Sequence, residues 1–505
     1  MNCAPVRHIS QRFSIHHLWA LVILTGVFVF INTHPIRPHD FWWHMAVGRE
    51  ILTSGQIPEL DTFSYTASGT RYPSYQSFWL MDISLYLIYQ LGGAALVVFF
   101  QSVIICSAYL LVLLTSLRLS HDWRMAAFGT GFAAVLGLND WNVRPQTIAI
   151  LFGAVFLFLI QHLRNGSRRG WALFFPLLMV VWVNSHGSYP IGLFFISLWL
   201  SQEIWDQVQE TRARRDLFRA SRIRFPALIL LLSFLACLVN PAGIEMVGYL
   251  QDMWGSSIIQ NLVTEWAAPT FDTLGGSIFL SALLLSALIL AISPRRMAFY
   301  QILGYILLAF LALRTSRGII WFGLAMGPIL AEHTSAMWHR MSKNTLLKNQ
   351  RKGSPVINWM FLVIIMLLAV LTLPWFKENL PLPAEKAGLI SGETPIAAVE
   401  YIMEARPPGN VFHAMSFGSY LIWAAYPEYR VFVDGRIELF SEEIWQDYLT
   451  TSAAMGDWEG TLERYDVHTL LLSRDEQPEL VNAVLDQPEW QLVFEDDAAL
   501  VYVHH

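Results

Sequence analysis

Residues 38–66 read PHDFWWHMAVGREILTSGQIPELDTFSYT, directly after an apolar run at 17–34. Asp40 precedes the aromatic pair Trp42-Trp43, and His44 lies one helical turn beyond it. With 41–53 helical, that spacing puts Asp40 and His44 on one face. Trp42 and Trp43 suit a helix lying at the lipid headgroups, where aromatic rings settle. Thr53-Ser54-Gly55 then ends the helix with a glycine cap. A plainer role for Asp40 is to cap that same helix, and both readings stand at this point.

The rest of the chain says what kind of protein carries this stretch. Of its 505 residues 54% are hydrophobic and only 14% charged, and the mean hydropathy is +0.43. Soluble domains carry about 25% charged residues, so this is a membrane composition. The 20 tryptophans fit interfacial belts on many spans. Cys3, Cys106 and Cys237 lie in the tail or in apolar runs, so no disulfide framework is readable. No basic patch points to nucleic acid. The first run lacks a small-residue cleavage site and continues into the loop, so no cleavable signal is expected.

Runs long enough, or nearly so, to cross a hydrocarbon core fall at 17–34, 93–117, 125–139, 144–163, 171–185, 189–206, 225–240, 275–293, 297–313, 318–333 and 356–374, eleven in all. The segment 77–91, SFWLMDISLYLIYQL, is apolar but carries Asp82 and ends near Gly92-Gly93. It reads as an interfacial or re-entrant helix of the external loop 35–92. Charge then sets orientation. The tail 1–16 and alternate loops hold 20 Lys and Arg, the opposite loops only Arg37, Arg49, Arg71, Arg144, Arg314 and Arg317. Positive residues stay cytoplasmic. A multi-pass protein of the cytoplasmic membrane is therefore expected, with the N-terminus inside and the C-terminal domain outside.

The fold class expected is mainly α: a polytopic domain at 17–374, a Pro- and Gly-rich linker at 375–393, and a small extracytoplasmic α/β domain at 394–505. From residue 376 onward there are 7 Lys and Arg against 23 Asp and Glu. Strand-like runs at 430–433, 469–472, 492–494 and 499–502 alternate there with helical stretches near 394–405, 441–454 and 478–486.

Unusual polar residues collect at the outer ends of the spans: Asn139-Asp140-Trp141-Asn142 with Arg144, Asn184-Ser185-His186, Glu265 within Thr264-Glu265-Trp266, and Arg314-Thr315-Ser316-Arg317. Ionisable residues near a span default to function. The plainer readings are a solvated loop for Glu265, a satisfied helix-end histidine for His186, and arginines that snorkel to the interface. The arginines outside defy the positive-inside bias, and their fork of donors matches phosphate geometry. A lipid-phosphate sugar donor leaves a phosphate whose developing charge needs nearby cations. The attacking hydroxyl needs a base, or a carboxylate that holds a metal or positions it. Asp40 and Asp140 supply carboxylates from two loops.

Asp40, the aromatic pair, His44, Ile57-Pro58, Asp61, Tyr65 and Gly69 together resemble the first external loop of membrane glycosyltransferases with the GT-C fold, most nearly the catalytic subunits of oligosaccharyltransferases. The resemblance implies that Asp40 is the catalytic or metal-binding acidic residue, with Asp140 of the second loop as its acidic partner; His44, one turn from Asp40, is a catalytic candidate because it can orient Asp40 or share its proton. It leaves a divalent metal, Mg or Mn, open as cofactor, with Asp40 and Asp140 as its ligands. The NDWN segment lacks the tandem Asp-x-Asp that would strengthen that metal. Donor phosphate would fall to Arg144, Arg314 and Arg317, with His186, Glu265 and Asp61 as further site candidates. SFGSYLIW at 416–423 loosely resembles the acceptor-holding segment of those enzymes but lacks its tryptophan pair and aspartate. Peptide is therefore not implied as acceptor. Asp434-Gly435-Arg436 reads either as a turn after a strand or as part of a donor or acceptor surface. The function expected is sugar transfer from a polyprenyl-phosphate donor to an extracytoplasmic acceptor, among membrane lipids. The alternative is a transporter or assembly factor for surface polysaccharide. A transporter should place polar groups at mid-bilayer, whereas these lie at the outer ends.

Overall fold

A computed structural model describes residues 15–166, 168–210, 220–246, 248, 264–344 and 354–504. Most of the basic tail lies outside the described residues. Every apolar run becomes helical: Ile15–Thr33, the second part of Ser74–Ser120, Trp123–Gly137, Gln146–Arg164, Phe174–Val183, Pro190–Glu210, Ser221–Ala236, Leu274–Ile292, Phe299–Arg314, Ile319–Asn344 and Pro355–Leu371. Four of the described helices are long and apolar enough to cross a membrane by length and composition: Ile15–Thr33, Ser74–Ser120, Gln146–Arg164 and Leu274–Ile292. Small residues let these helices meet. A Cβ on Gly129 would stand 2.2 Å from the carbonyl oxygen of Gly327, so the Trp123–Gly137 and Ile319–Asn344 backbones touch there. Close approach of this kind is how helices gain packing where no hydrophobic effect drives them together.

The helix Ser74–Ser120 is two helices joined at Gly92 and Gly93. Gly93 has φ +61° and ψ −161°, open essentially to glycine alone, which is why the chain turns there. The 74–91 half lies against Phe41–Ser54, which ends as its sequence suggests, with Gly55 at φ +71° donating to the Ile51 carbonyl.

The C-terminal domain is a four-stranded sheet flanked by helices, in the order β1 (Asn410–His413), β2 (Val467–Leu472), β4 (Leu500–His504), β3 (Trp490–Glu495). The β1–β2 pair is parallel, and the β2–β4 and β4–β3 pairs are antiparallel. Two expectations are corrected here. Residues 430–433 form no ladder strand; Val431 makes a single bridge to Ser64, while the parallel edge falls to 410–413. Trp42 and Trp43 do not sit at headgroups. They are 1% and 4% exposed, sealed between the first loop and this domain, with the Trp42 ring 5.0 Å from Tyr420. The reason is that the loop and the domain share one apolar core, from Phe41 and Phe63 to Phe417, Leu421 and Phe432.

A buried ion network pins that contact. Arg436 donates to Asp434 (Nε to Oδ1, 2.9 Å), to Asp61 (Nη1 to Oδ1, 2.5 Å) and to the Tyr75 hydroxyl, and its side chain and both carboxylates are fully buried. Burial would push Asp61 up, but Arg436 and the Ser64 hydrogen bonds outweigh it and hold its carboxyl below the usual range.

Candidate active site

The loops between helices are held by local bonds before they form anything together. Gln101 Nε2 donates to the Trp141 carbonyl at 2.6 Å and Trp141 Nε1 to the Tyr109 hydroxyl at 3.3 Å, which fixes the loop that presents Arg144. Thr315 Oγ1 donates to the Glu265 carbonyl at 2.9 Å and the Ser316 amide to the Ala267 carbonyl at 3.0 Å, clamping the short turn Thr264–Trp266 beside Arg317. In His186, Nδ1 accepts from the Ser188 amide at 3.1 Å. That leaves Nε2 as the protonated nitrogen of the neutral ring.

These loops and the C-terminal domain enclose one cavity of about 350 Å³. Its walls include Asp40, His44, Arg144, His186, Glu265 and Arg317, six of the residues singled out from sequence, taken from five separate loops. The volume is that of a small-molecule site. Arg144 is the hub. Its Nη1 lies 3.4 Å from Asp40 Oδ2 and 3.1 Å from Glu265 Oε2, and its Nη2 bonds Glu265 Oε1. Arg317 Nε adds a 3.1 Å bond to Glu265 Oε2, and its guanidinium stands over the Trp266 ring. Burial alone would raise the Glu265 carboxyl, but the two arginines hold it at about 2. His186 is pushed down to about 3 by burial and by Arg317 and Arg144. His44 is likewise driven well below its usual range by burial, then by neighbouring positive groups. Around Arg144 and Arg317 the cavity thus sets the carboxylates of Asp40 and Glu265 and the neutral imidazoles of His44 and His186, with His39 and Glu438 also on its wall.

Asp40 does not cap its helix. Its side chain makes no capping bond, and the Trp43 amide is satisfied instead by Ser419 Oγ of the C-terminal domain at 3.0 Å. Nor does His44 pair with Asp40 through its ring, because its Nδ1 lies 2.7 Å from Asp82 Oδ1. Asp140 lies outside the cavity wall, buried and receiving a 2.8 Å bond from Gln146 Nε2. Burial and the Glu265 charge raise its carboxyl to about 7, against the pull of Arg144. Arg314 is exposed and Asp61 sits in the Arg436 network, so neither lines the cavity.

Sequence reasoning did not assign Ser416, Ser419, Gly435 and Glu438, which close the cavity from the C-terminal domain. They fall in SFGSYLIW and in the segment after Asp434, stretches that stand out in sequence without revealing which side chains turn inward. Gly435 is the sharpest of them. A Cβ there would lie 2.7 Å from Asp40 Oδ1. Because the obstacle is the end of a mobile side chain, Gly435→Ala should turn the Asp40 carboxylate away at little cost in stability. The expected result is an unchanged melting temperature with activity lowered about 10- to 100-fold, since a misplacement of about 1 Å costs that much. Loss of fold in thermal denaturation would contradict it.

The fit to a divalent metal is poor. Among the described residues no group of three or more His, Cys, Asp or Glu could hold an ion. Asp40 and Glu265 face arginine, and Asp140 faces Gln146.

This bundle of apolar helices, with a polar cavity closed by a small mixed-sheet domain, has the fold of a solved arabinofuranosyltransferase. Among solved structures it is similar to the arabinofuranosyltransferase AftD from mycobacteria. The match covers 96% of this chain at 12% identity, with a TM-score of 0.50, or 0.55 for the R1389S mutant of that protein. This chain spans only about two fifths of AftD, 40% and 41% in the two structures. A third match, ArnT from Cupriavidus metallidurans bound to undecaprenyl phosphate, covers 96% of this chain and 97% of that one at 13% identity, with a TM-score of 0.43. No family model matches the chain, and no curated protein matches it.

Proposed function

We propose that the protein transfers a sugar from a polyprenyl-phosphate donor to an acceptor hydroxyl at the outer face of the cytoplasmic membrane. The observation that carries this reading is the Asp40–Arg144–Glu265–Arg317 array in one cavity at the ends of apolar helices, beside the C-terminal domain. Arg144 and Arg317 bind the donor phosphate and stabilise the charge left on it as the sugar departs. Asp40 receives the acceptor hydroxyl, orienting it and favouring the loss of its proton. An apolar groove of about 1130 Å³ between Ile15–Thr33, Trp123–Gly137 and Leu274–Ile292 includes Trp141, in the same loop as Arg144. It offers the donor's tail a place beside the phosphate. The fold of an arabinofuranosyltransferase supports a pentose donor as the first to try. Eleven spans, with the N-terminus inside, put the cavity on the same side as the C-terminal domain.

The direct test is to supply the purified protein with polyprenyl-phosphate arabinose and an alkyl arabinoside, and to measure released polyprenyl phosphate. No release above the uncatalysed rate, for this and for hexose donors, would count against the proposal. The topology has its own check. Reporters active on one side only, fused after residues 120, 270 and 505, should read cytoplasmic for the first and extracytoplasmic for the other two. Cytoplasmic activity at 270 and 505 would move the site to the wrong side.

A further inference from the structure

Asp82 stands in an apolar helical run, flanked by Met81 and Ile83, and is 0% exposed. Its one ion-pair partner among the described residues is His44, and its second carboxylate oxygen has no hydrogen-bond partner. A lone carboxylate buried this way costs free energy that apolar packing does not return. The surrounding geometry gives it a task. A Cβ on Gly48 would stand 2.2 Å from the Asp82 carbonyl oxygen, so the two helices touch one turn from His44 and bring its ring to the carboxylate. That ring is stacked on Trp43 with centroids 3.6 Å apart and meets the edge of Phe78 at 5.3 Å. With Nδ1 engaged by Asp82, Nε2 is the nitrogen left for the cavity that His44 lines. Burial drives the ring well below its usual range and the Asp82 carboxyl well above its own, so where the proton of the 2.7 Å Nδ1–Oδ1 contact sits decides whether Nε2 can accept another.

We propose that Asp82 is a positioning residue that holds His44 as the Nδ1–H tautomer, so that Nε2 accepts the proton of the acceptor hydroxyl. The inference rests on the sugar-transfer reading above. In the step, the acceptor O–H bond breaks and its proton passes to His44 Nε2. The oxygen's electron pair forms the bond to the anomeric carbon, and the carbon–oxygen bond to phosphate breaks with its pair kept on the phosphate oxygen. Arg144 and Arg317 face that oxygen, Asp40 holds the incoming hydroxyl, and the Asp82 carboxylate offsets the positive charge that forms on the ring. The division of labour is that of a buried aspartate behind a catalytic histidine in hydrolases.

A double-mutant cycle on the full chain tests it, with polyprenyl-phosphate arabinose and an alkyl arabinoside as probes. D82N should lower kcat by about 100-fold or more with the donor KM within about twofold, and H44Q/D82N should be no slower than H44Q. Near-parental kcat in D82N, or losses that multiply in the double variant, would overturn the proposal. Should D82N not accumulate as folded protein, H44F/D82L is compared with H44F. Equal rates support the proposal, and a further loss of about tenfold overturns it, because Asp82 would then act without His44. An inactive parent would instead sink the transfer reading. Melting temperatures of the same variants would still speak for the pair: additive shifts show no coupling and overturn the positioning role.

Discussion

Asp40→Asn should leave the protein folded, with a melting temperature close to the parent, while sugar transfer falls by about 10²–10⁴. The substitution keeps shape and removes charge. In the structure that charge has no capping duty, since the Trp43 amide is served by Ser419. It faces Arg144 at 3.4 Å across a cavity and has Gly435 against its other side. Asp40 is half-buried and meets Arg144 only at a long 3.4 Å, while Arg144 keeps Glu265, so little stability is lost and the two readouts should separate. A carboxylate that orients the hydroxyl and offsets positive charge on the departing sugar cannot be replaced by a neutral amide. Near-parental transfer by folded Asp40→Asn would remove it from the reaction.

Arg144→Gln should weaken donor binding by about 10- to 100-fold, the value of a charged hydrogen bond worth about 1.5–3 kcal/mol. Arg317→Gln should fall at the lower end, because Arg317 reaches Glu265 through one nitrogen whereas Arg144 offers both ends of its fork. Arg314→Gln, outside the cavity and exposed, is the control and should bind donor as the parent does. Binding of a polyprenyl phosphate by isothermal calorimetry in detergent would read all three. Equal affinity in Arg144→Gln and Arg314→Gln would return the arginines to the role of interface anchors. Glu265 adds a sign to watch. It pairs with both arginines, so an arriving phosphate must share or displace it, and Glu265→Gln should bind phosphate more tightly.

Much of this was legible in the sequence. Hydrophobic runs form helices whatever their neighbours do, because an apolar segment in lipid must satisfy its own backbone. All eleven runs are helical for that reason. The break at Gly92-Gly93 and the cap at Gly55 also follow from residue type. The site candidates were legible because charges at the ends of apolar runs are costly. Alternate loops at one end of a bundle can meet, and Asp40, Arg144, His186, Glu265 and Arg317 do.

Tertiary structure decided the pairings. Spacing placed Asp40 and His44 one turn apart, yet packing gave Asp40 to Arg144 and His44 to Asp82, residues 104 and 38 positions away. Trp42 and Trp43 looked interfacial until the C-terminal domain covered them, and Asp61 was a further site candidate until Arg436 claimed it. Residues 430–433 carry a strand's composition, but their backbone pairs with Ser64 at one point only. Local sequence fixes what a segment forms by itself. Which charge meets which is set by contacts between segments far apart in the chain, and nothing local in 38–66 could announce that Gly435 would lie against Asp40.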